Sequence, residues 1–247
     1  MGTQLTWYGQ SGYKIITPGG KILLIDPWLN NPLLENAKEE LGKLTAVDLI
    51  VLTHGHADHV GDSVEIGKKT GAKLVANVDL AGAVVSVLGY PADQAGSDTT
   101  GHIGGQLNLL EGEIKVGFVP AMHGSTVRKD EKSPPVAAGM PTGVVVSIRN
   151  GPTIYHTGDT GFFSGIARVS DHTTIDVMLV CIGDHFTMGP ARAAEAVKAV
   201  GPKIAIPNHY ATFPVLIGTP EEFGDELKKI GAKAEVRVMQ VGQTITI

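Results

Sequence analysis

Cysteine is almost absent from this sequence, because Cys181 is the only one in 247 residues. A single cysteine excludes an internal disulfide and a four-cysteine zinc site. No run of about 18 uninterrupted apolar residues occurs, which argues against a transmembrane helix. The first residues lack the basic and apolar regions of a secretory signal, so we expect a cytoplasmic protein with no membrane partner.

Positive charge is also scarce. The chain has 20 Lys and Arg against 25 Asp and Glu, a formal net charge of −5, and no dense basic run. This balance gives no electrostatic reason to expect nucleic acid as a partner. A small-molecule substrate is therefore expected, and the sequence leaves open whether the chain forms a homo-oligomer.

Linkers, composition shifts and short repeats are missing as well, so residues 1–247 are expected to form one domain. Short apolar runs of strand length alternate with helical segments. The clearest helices are Ala191–Val200 and Pro220–Ile230, the second with Thr219 as N-cap and Gly231 after its end.

Histidine and aspartate, in contrast, are concentrated in the segment His54-Gly55-His56-Ala57-Asp58-His59. It follows Val47–Leu52, which is typical of a buried strand, so the cluster is predicted on a loop at a C-terminal strand end. Two histidines at i and i+2 can converge on one metal, while Asp58 and His59 reach a second. Two-metal hydrolytic sites keep their ions roughly 3.5–4 Å apart, which such a cluster can span.

Three later residues repeat this placement at the end of an apolar strand, and metals need ligands from elsewhere in the fold. They are His123 after Ile114–Pro120, Asp159 after Thr153–His156 and His209 after Lys203–Ile206. The predicted metal ligands are therefore His54, His56, Asp58, His59, His123, Asp159 and His209.

The order H-x-H-x-D-H, then His, Asp and His, resembles the metallo-β-lactamase superfamily. Within it the chain is most similar to uncharacterised metal-dependent hydrolases related to the ascorbate-phosphate lactonases. The similarity includes Thr6-Trp7-Tyr8-Gly9, Ile25-Asp26-Pro27, Gly158-Asp159-Thr160, Asp184-His185-Phe186-Thr187-Met188-Gly189 and His209-Tyr210-Ala211-Thr212-Phe213-Pro214. The chain departs from the pattern at Gln10, where relatives commonly carry a histidine.

The resemblance implies an α/β fold of the αββα type: two mixed β-sheets face to face, flanked by helices, with metals at one edge. It also implies that the first metal is bound by His54, His56 and His123 and the second by Asp58, His59 and His209. Asp159 would bridge the two metals. Asp26 is expected beneath the site, where it accepts hydrogen bonds from a ligand or orients the cluster.

Two divalent ions that share a water lower its pKa to about 7. We therefore predict a metal-dependent hydrolase in which a metal-bridging hydroxide attacks a small ester, lactone, amide or phosphoester. Asp58, Asp26 and His185 are assigned to this catalysis. Zn²⁺ is the first choice of metal, and Mn²⁺ or Fe²⁺ is credible because the Asp159 carboxylate is harder than a thiolate.

Two features of the sequence each allow two interpretations. His185, after the strand Val177–Val180, is either a hydrogen-bond donor to the substrate oxyanion or leaving group, or a loop histidine bonded to backbone. The segment Ser125–Thr142, rich in proline and charge, is either a flap over the site or a surface insertion.

Other functions are conceivable on the same scaffold: a di-iron oxidoreductase and a non-catalytic metal-binding regulator. Di-iron proteins of this type tend to replace the second cluster histidine with glutamate and to carry a flavin domain, and this chain has neither. The complete ligand set argues against a regulator. Of the remaining residues, His102 and His172 are expected in solvent, His156 in a supporting position and Cys181 in the core.

Overall fold

The computed structural model describes residues 2–247, which form sixteen strands and six α-helices. The strands are β1 Gln4–Trp7, β2 Tyr13–Ile16, β3 Ile22–Ile25, β4 Leu49–Val51, β5 Lys73–Asn77, β6 Thr100–Gly101, β7 Gln106–Leu109, β8 Ile114–Pro120, β9 Thr126–Val127, β10 Val136–Ala137, β11 Thr142–Ile148, β12 Thr153–His156, β13 Val177–Cys181, β14 Ile204–Asn208, β15 Glu235–Val236 and β16 Thr244–Thr246. The helices are α1 Ala37–Lys43, α2 Ala57–Val60, α3 Ser63–Thr70, α4 Val78–Ala83, α5 Pro190–Val200 and α6 Pro220–Lys229.

Two seven-stranded mixed sheets make up the framework. The first has the order β16-β1-β2-β3-β4-β5-β6 and the second β15-β14-β13-β12-β11-β8-β7. In the first, β3 to β6 are parallel and β1, β2 and β3 are antiparallel neighbours. In the second, β12 to β15 are parallel, whereas β7, β8, β11 and β12 alternate in direction.

Three apolar cores hold the layers together. The inner faces of both sheets pack on each other through residues such as Val51 and Phe118. The outer face of the first sheet packs on α3 and α4 through Ile66 and Leu80. The outer face of the second packs on α5 and α6, and Cys181 is buried there. This arrangement confirms the expected αββα sandwich, and sheets covered on both faces explain the nearly continuous apolar runs of β4 and β13.

Most predicted elements are present, and their ends are shifted by at most two residues. Helix α4 continues directly into a π-helical turn, Val84–Leu88, that ends at Gly89. Helices α1 and α2 were not predicted, since seven and four residues are too few for helical periodicity to be visible. In the segment Ser125–Thr142, β9 pairs with β10, and Val127 and Ala138 are buried against the first sheet's helices.

The topology brings several strand ends to a common edge. Within the first sheet, β1, β3 and β4 run in the same direction, and within the second, β8, β12, β13 and β14 do so. The loops after these strands carry the predicted site residues. In residues 2–247 no helix combines the length and apolar character that crossing a bilayer requires.

Candidate metal centre

Three histidines form the first half of the site. His54 and His56 leave the loop between β4 and α2, and His123 follows β8. His54 Nε2 lies 3.0 Å from His56 Nδ1, and His123 Nε2 lies 3.3 Å from the same Nδ1. Burial lowers the pKa of all three imidazoles, which favours the neutral form that binds metals.

A second group of four residues lies beside the first. Asp58 and His59 sit on α2, Asp159 follows β12 and His209 follows β14. Asp58 Oδ2 lies 3.5 Å from His59 Nε2 and 3.6 Å from His209 Nε2. Asp159 Oδ1 lies 3.3 Å from His59 Nε2. One ligand atom from each of the four falls within 4.8 Å of all the others, so a single cation can be reached by all of them.

The Asp159 carboxylate borders both groups. Its Oδ2 is 4.0 Å from His54 Nε2 in the first group and 2.9 Å from His209 Nε2 in the second.

The sharp turn that places Asp159 depends on Gly158. The φ of Gly158 is +60°, and a Cβ added to it would lie 2.6 Å from the Thr142 carbonyl oxygen. The structure thus brings all seven predicted ligands together.

Buried polar atoms in this cluster test whether a metal fits. His59 Nε2, His209 Nε2 and Asp159 Oδ1 are buried and make no hydrogen bond. Burial opposes charge on His59, yet the carboxylates of Asp159, Asp58 and Asp26 hold its pKa well above the usual value. Against the same burial, Asp159 raises the pKa of His209 to about 9. The carboxylates stabilise positive charge in the cluster, and several nitrogen and oxygen atoms have no hydrogen-bond partner. Both properties fit a bound divalent cation.

Asp26 lies directly under the cluster with a left-handed backbone, φ 43°. Its Oδ1 accepts from the Thr53 backbone N–H at 2.9 Å, and its Oδ2 accepts from the Thr53 hydroxyl at 2.6 Å. Oδ2 also lies 2.7 Å from His59 Nδ1. With Nδ1 bound to Asp26, His59 presents Nε2 to the site. The protein's own donors occupy Asp26, which favours its orienting role over contact with a ligand.

Gln10, the point of departure from the superfamily pattern, touches the centre. Its side-chain Nε2 donates to Asp58 Oδ2 at 2.8 Å. Its backbone carbonyl accepts from the His209 N–H and from the Trp7 indole N–H, both at 3.1 Å. Nothing in the sequence links Gln10 to a residue 48 positions away, so this contact was not predicted.

His185 lies at the rim rather than among the ligands. The residue is exposed, its backbone N–H donates to Asp184 Oδ1 at 2.9 Å, and its ring packs edge-on against Phe186 at 4.4 Å. The backbone of Asp184 and His185 is left-handed, with φ 63° and 50°. Strained conformations of this kind gather around functional sites.

The other histidines have structural or solvent positions. His156 is buried: its Nε2 bonds the Ser11 carbonyl at 3.0 Å, and its Nδ1 accepts from the Gly158 N–H at 2.9 Å. It therefore supports the turn that carries Asp159, as predicted. His102 and His172 are exposed.

A cavity of about 240 Å³ opens onto the centre. It is lined by His56, Asp58, His123, Asp159, Phe186, His209 and Phe213. Five of these are predicted ligands. The two phenylalanines were assigned no role from the sequence, although both lie in segments that carry the family resemblance.

Known proteins match this chain over nearly its whole length. The family model described as a beta-lactamase superfamily domain matches residues 21–210. A UPF0173 metal-dependent hydrolase of Thermodesulfovibrio yellowstonii is 50% identical over 246 residues, which cover 99% of this chain and 92% of the relative. A UPF0173 metal-dependent hydrolase of Anaeromyxobacter dehalogenans is 47% identical over 246 residues, which cover 98% of this chain and 86% of the relative. The solved structure of Igni18, a metallo hydrolase from Ignicoccus hospitalis, matches with a TM-score of 0.84 and 32% identity over 100% of this chain and 99% of that one.

Proposed function

We propose that this chain, which belongs to the beta-lactamase superfamily and is a metal-dependent hydrolase of the UPF0173 type, binds two metal ions. The donors divide as follows: one ion on His54, His56 and His123, the other on Asp58, His59 and His209, with Asp159 between them. Zn²⁺ suits nitrogen and carboxylate donors in such numbers, and the carboxylates also make Mn²⁺ or Fe²⁺ acceptable.

The position of Asp159 is the observation that carries this proposal. One carboxylate oxygen lies within 4.0 Å of a nitrogen from the first group and within 2.9 Å of a nitrogen from the second. Two separate donor sets that share a buried carboxylate are arranged for two cations at close range. A single cation would leave one of the sets without a partner.

When bound, the two ions supply hydroxide at neutral pH and polarise the ester, lactone, amide or phosphoester bond that it cleaves. The chain's own residues position these parts. Asp26 orients His59, and Gln10 orients Asp58, so that their ligand atoms face the site. His185, at the rim against Phe186, is proposed to donate a hydrogen bond to the oxyanion or a proton to the leaving group.

The test is Asp58→Ala, because Asp58 is a proposed ligand that is partly exposed and outside the cores. We expect hydrolysis to fall by more than the roughly 10–100-fold typical of groups that only support a ligand. The circular dichroism spectrum should be unchanged. His172→Ala, an exposed histidine away from the ligands, is the matched control and should keep full activity and metal content.

Full activity in Asp58→Ala would show that the ligand assignment is wrong. Elemental analysis of protein purified without chelator should give close to two metal ions per chain. A folded sample with almost no metal would refute the two-ion proposal. Bound iron together with oxygen consumption, and no hydrolysis, would instead favour the di-iron oxidoreductase.

A further inference from the structure

Two phenylalanines form an apolar wall on the cavity beside the metal centre. The Phe213 ring stacks on Trp28, with centroids 5.9 Å apart and an angle of 22° between the planes, which holds it in place. Phe186 is 55% exposed although it lies at the mouth of the cavity. An exposed aromatic ring in this position contributes little to the core and is available to a ligand.

The loop that presents Phe186 is fixed to the centre. The Asp184 N–H donates to the Met188 carbonyl at 3.1 Å, which closes the loop. The Met188 N–H then donates to the Thr160 carbonyl at 2.9 Å, and the Met188 side chain is buried. Since Thr160 follows Asp159 directly, the ring of Phe186 and the bridging carboxylate are held on adjoining loops.

The cavity wall also has a distinctive charge pattern. Apart from the two phenylalanines, the residues that line it are all proposed metal ligands. No lysine or arginine of the described chain lines it. The charged oxygens of a phosphoester that are not held by metal would therefore face two aromatic rings with no lysine or arginine beside them, which is unfavourable. A neutral ester has no such charge to accommodate.

From this wall we infer that the substrate is a neutral carboxylic ester, open-chain or cyclic, whose short apolar substituent packs between Phe186 and Phe213. The inference rests on the proposed hydrolase function. The oxygen of one water bonds to the acyl carbon, the acyl C–O bond breaks, and a proton from that water goes to the leaving alkoxide. The products are an alcohol and a carboxylic acid, or a single hydroxy acid when the ester is cyclic. The cavity, at about 240 Å³, is below the about 300–1,000 Å³ of drug-sized sites, so the substituent is short.

The test compares p-nitrophenyl acetate, butyrate and hexanoate, which share one leaving group, on the protein as purified without chelator. Burial of each methylene contributes roughly a fourfold gain. We expect kcat/KM to rise roughly fifteenfold from acetate to butyrate and then to level off as the cavity fills. Butyl p-nitrophenyl phosphate, a phosphodiester, should have a lower kcat/KM than the butyrate, and γ- against δ-lactones with alkyl chains test the cyclic form.

Variants connect this chain-length effect to the wall. Phe186→Ala should reduce the increase in kcat/KM from acetate to butyrate. Because Phe186 is exposed, the substitution should leave the fold intact. Phe213→Leu is the second variant, which keeps an apolar side chain against Trp28. Phe162→Ala is the matched control: Phe162 is an exposed phenylalanine with the Arg192 guanidinium 5.7 Å above its ring, and it does not line the cavity. The control should keep the full rise.

A binding measurement separates the inference from the proposed function. Acetone and 2-hexanone, which cannot be hydrolysed, are titrated while tryptophan fluorescence is followed, since Trp28 contacts the wall. Tighter binding of 2-hexanone, lost in Phe186→Ala, supports the inference even if no ester is cleaved, a result that would count against the hydrolase proposal. Preference for the phosphodiester, or no chain-length effect in either measurement, would overturn the inference and leave the hydrolase proposal standing.

Discussion

Asp26 shows how one buried carboxylate organises the cluster above it. It accepts from the backbone and hydroxyl of Thr53 and binds His59 Nδ1. Asp26→Ala would leave two buried groups unpaired, the Thr53 N–H and His59 Nδ1, at about 1–3 kcal/mol each, whereas the Thr53 hydroxyl keeps His54 Nδ1 at 3.1 Å. We therefore expect the free energy of unfolding to fall by about 2 kcal/mol or more. Urea denaturation of chelator-treated protein measures this without a contribution from lost metal.

Asp26→Asn is the matched control for that prediction. It keeps the size of the side chain and one acceptor oxygen, so the loss of stability should be clearly smaller than in the alanine variant. Equal losses in the two variants would mean that charge, and not the hydrogen bonds, sets the contribution of Asp26. A loss below about 1 kcal/mol in Asp26→Ala would contradict the prediction altogether.

Gln10 offers a test of support for a ligand. Gln10→Met keeps the length of the side chain but removes the donor 2.8 Å from Asp58 Oδ2. The lost hydrogen bond should weaken metal binding by roughly 10–100-fold. Competition with a chromophoric chelator gives the affinity. The same change at exposed Gln106 is the control, and an unchanged affinity in Gln10→Met would show that Asp58 needs no support from this residue.

At the scale of single residues, the sequence identified those whose type is sparse in the chain and characteristic of metal binding. Histidine and aspartate at strand ends identified the seven predicted ligands, and the structure places them together. Gln10, Phe186 and Phe213 were not assigned roles, because glutamine and phenylalanine occur throughout soluble proteins. Their significance depends on contacts between distant parts of the chain, such as Phe213 with Trp28.

At the scale of secondary structure, the ends of the strands were predictable and the short helices between them were not. Apolar runs mark β4, β12 and β14, so the loops after them could be assigned. Helix α2 has four residues, and its single turn shows no period in the sequence. It nevertheless decides the geometry, since it turns Asp58 and His59 toward Asp159 and His209.

The close approach of β13 and β14 at their ends gives a prediction at the same scale. A Cβ added to Gly183 would lie 2.1 Å from the His209 carbonyl oxygen. Gly183→Ala should therefore displace the loop that carries His209, lower the unfolding temperature and reduce metal content. Thermal unfolding and elemental analysis measure the two effects.

Gly224→Ala is the control for that prediction. Gly224 lies within α6, and a Cβ there meets no atom within 4 Å. Alanine should stabilise the helix by about 0.5–1 kcal/mol, because glycine is entropically unfavourable there. If Gly183→Ala behaved like Gly224→Ala, the close packing at the end of β13 would have no role in holding His209.

For the whole molecule, the centre links the two halves of the sandwich. The segment after β4 of the first sheet, which includes α2, supplies His54, His56, Asp58 and His59. Loops of the second sheet supply His123, Asp159 and His209. The residues alone predicted the strand ends but not how the two sheets face each other. That arrangement came from the family resemblance, because packing between sheets is set by many weak apolar contacts that leave no local pattern.

Because ligands come from both sheets, bound metal should stabilise the entire fold. A ligand at one hundred times its dissociation constant stabilises the native state by about 2.7 kcal/mol. For a chain of this size that corresponds to a rise in unfolding temperature of roughly 5–10 °C. Chelator treatment should lower the unfolding temperature by that amount, and added Zn²⁺ should restore it. Asp159→Asn should shrink the difference, since the shared carboxylate is lost. If metal-loaded and metal-free protein unfold at the same temperature, the ions do not join the two sheets.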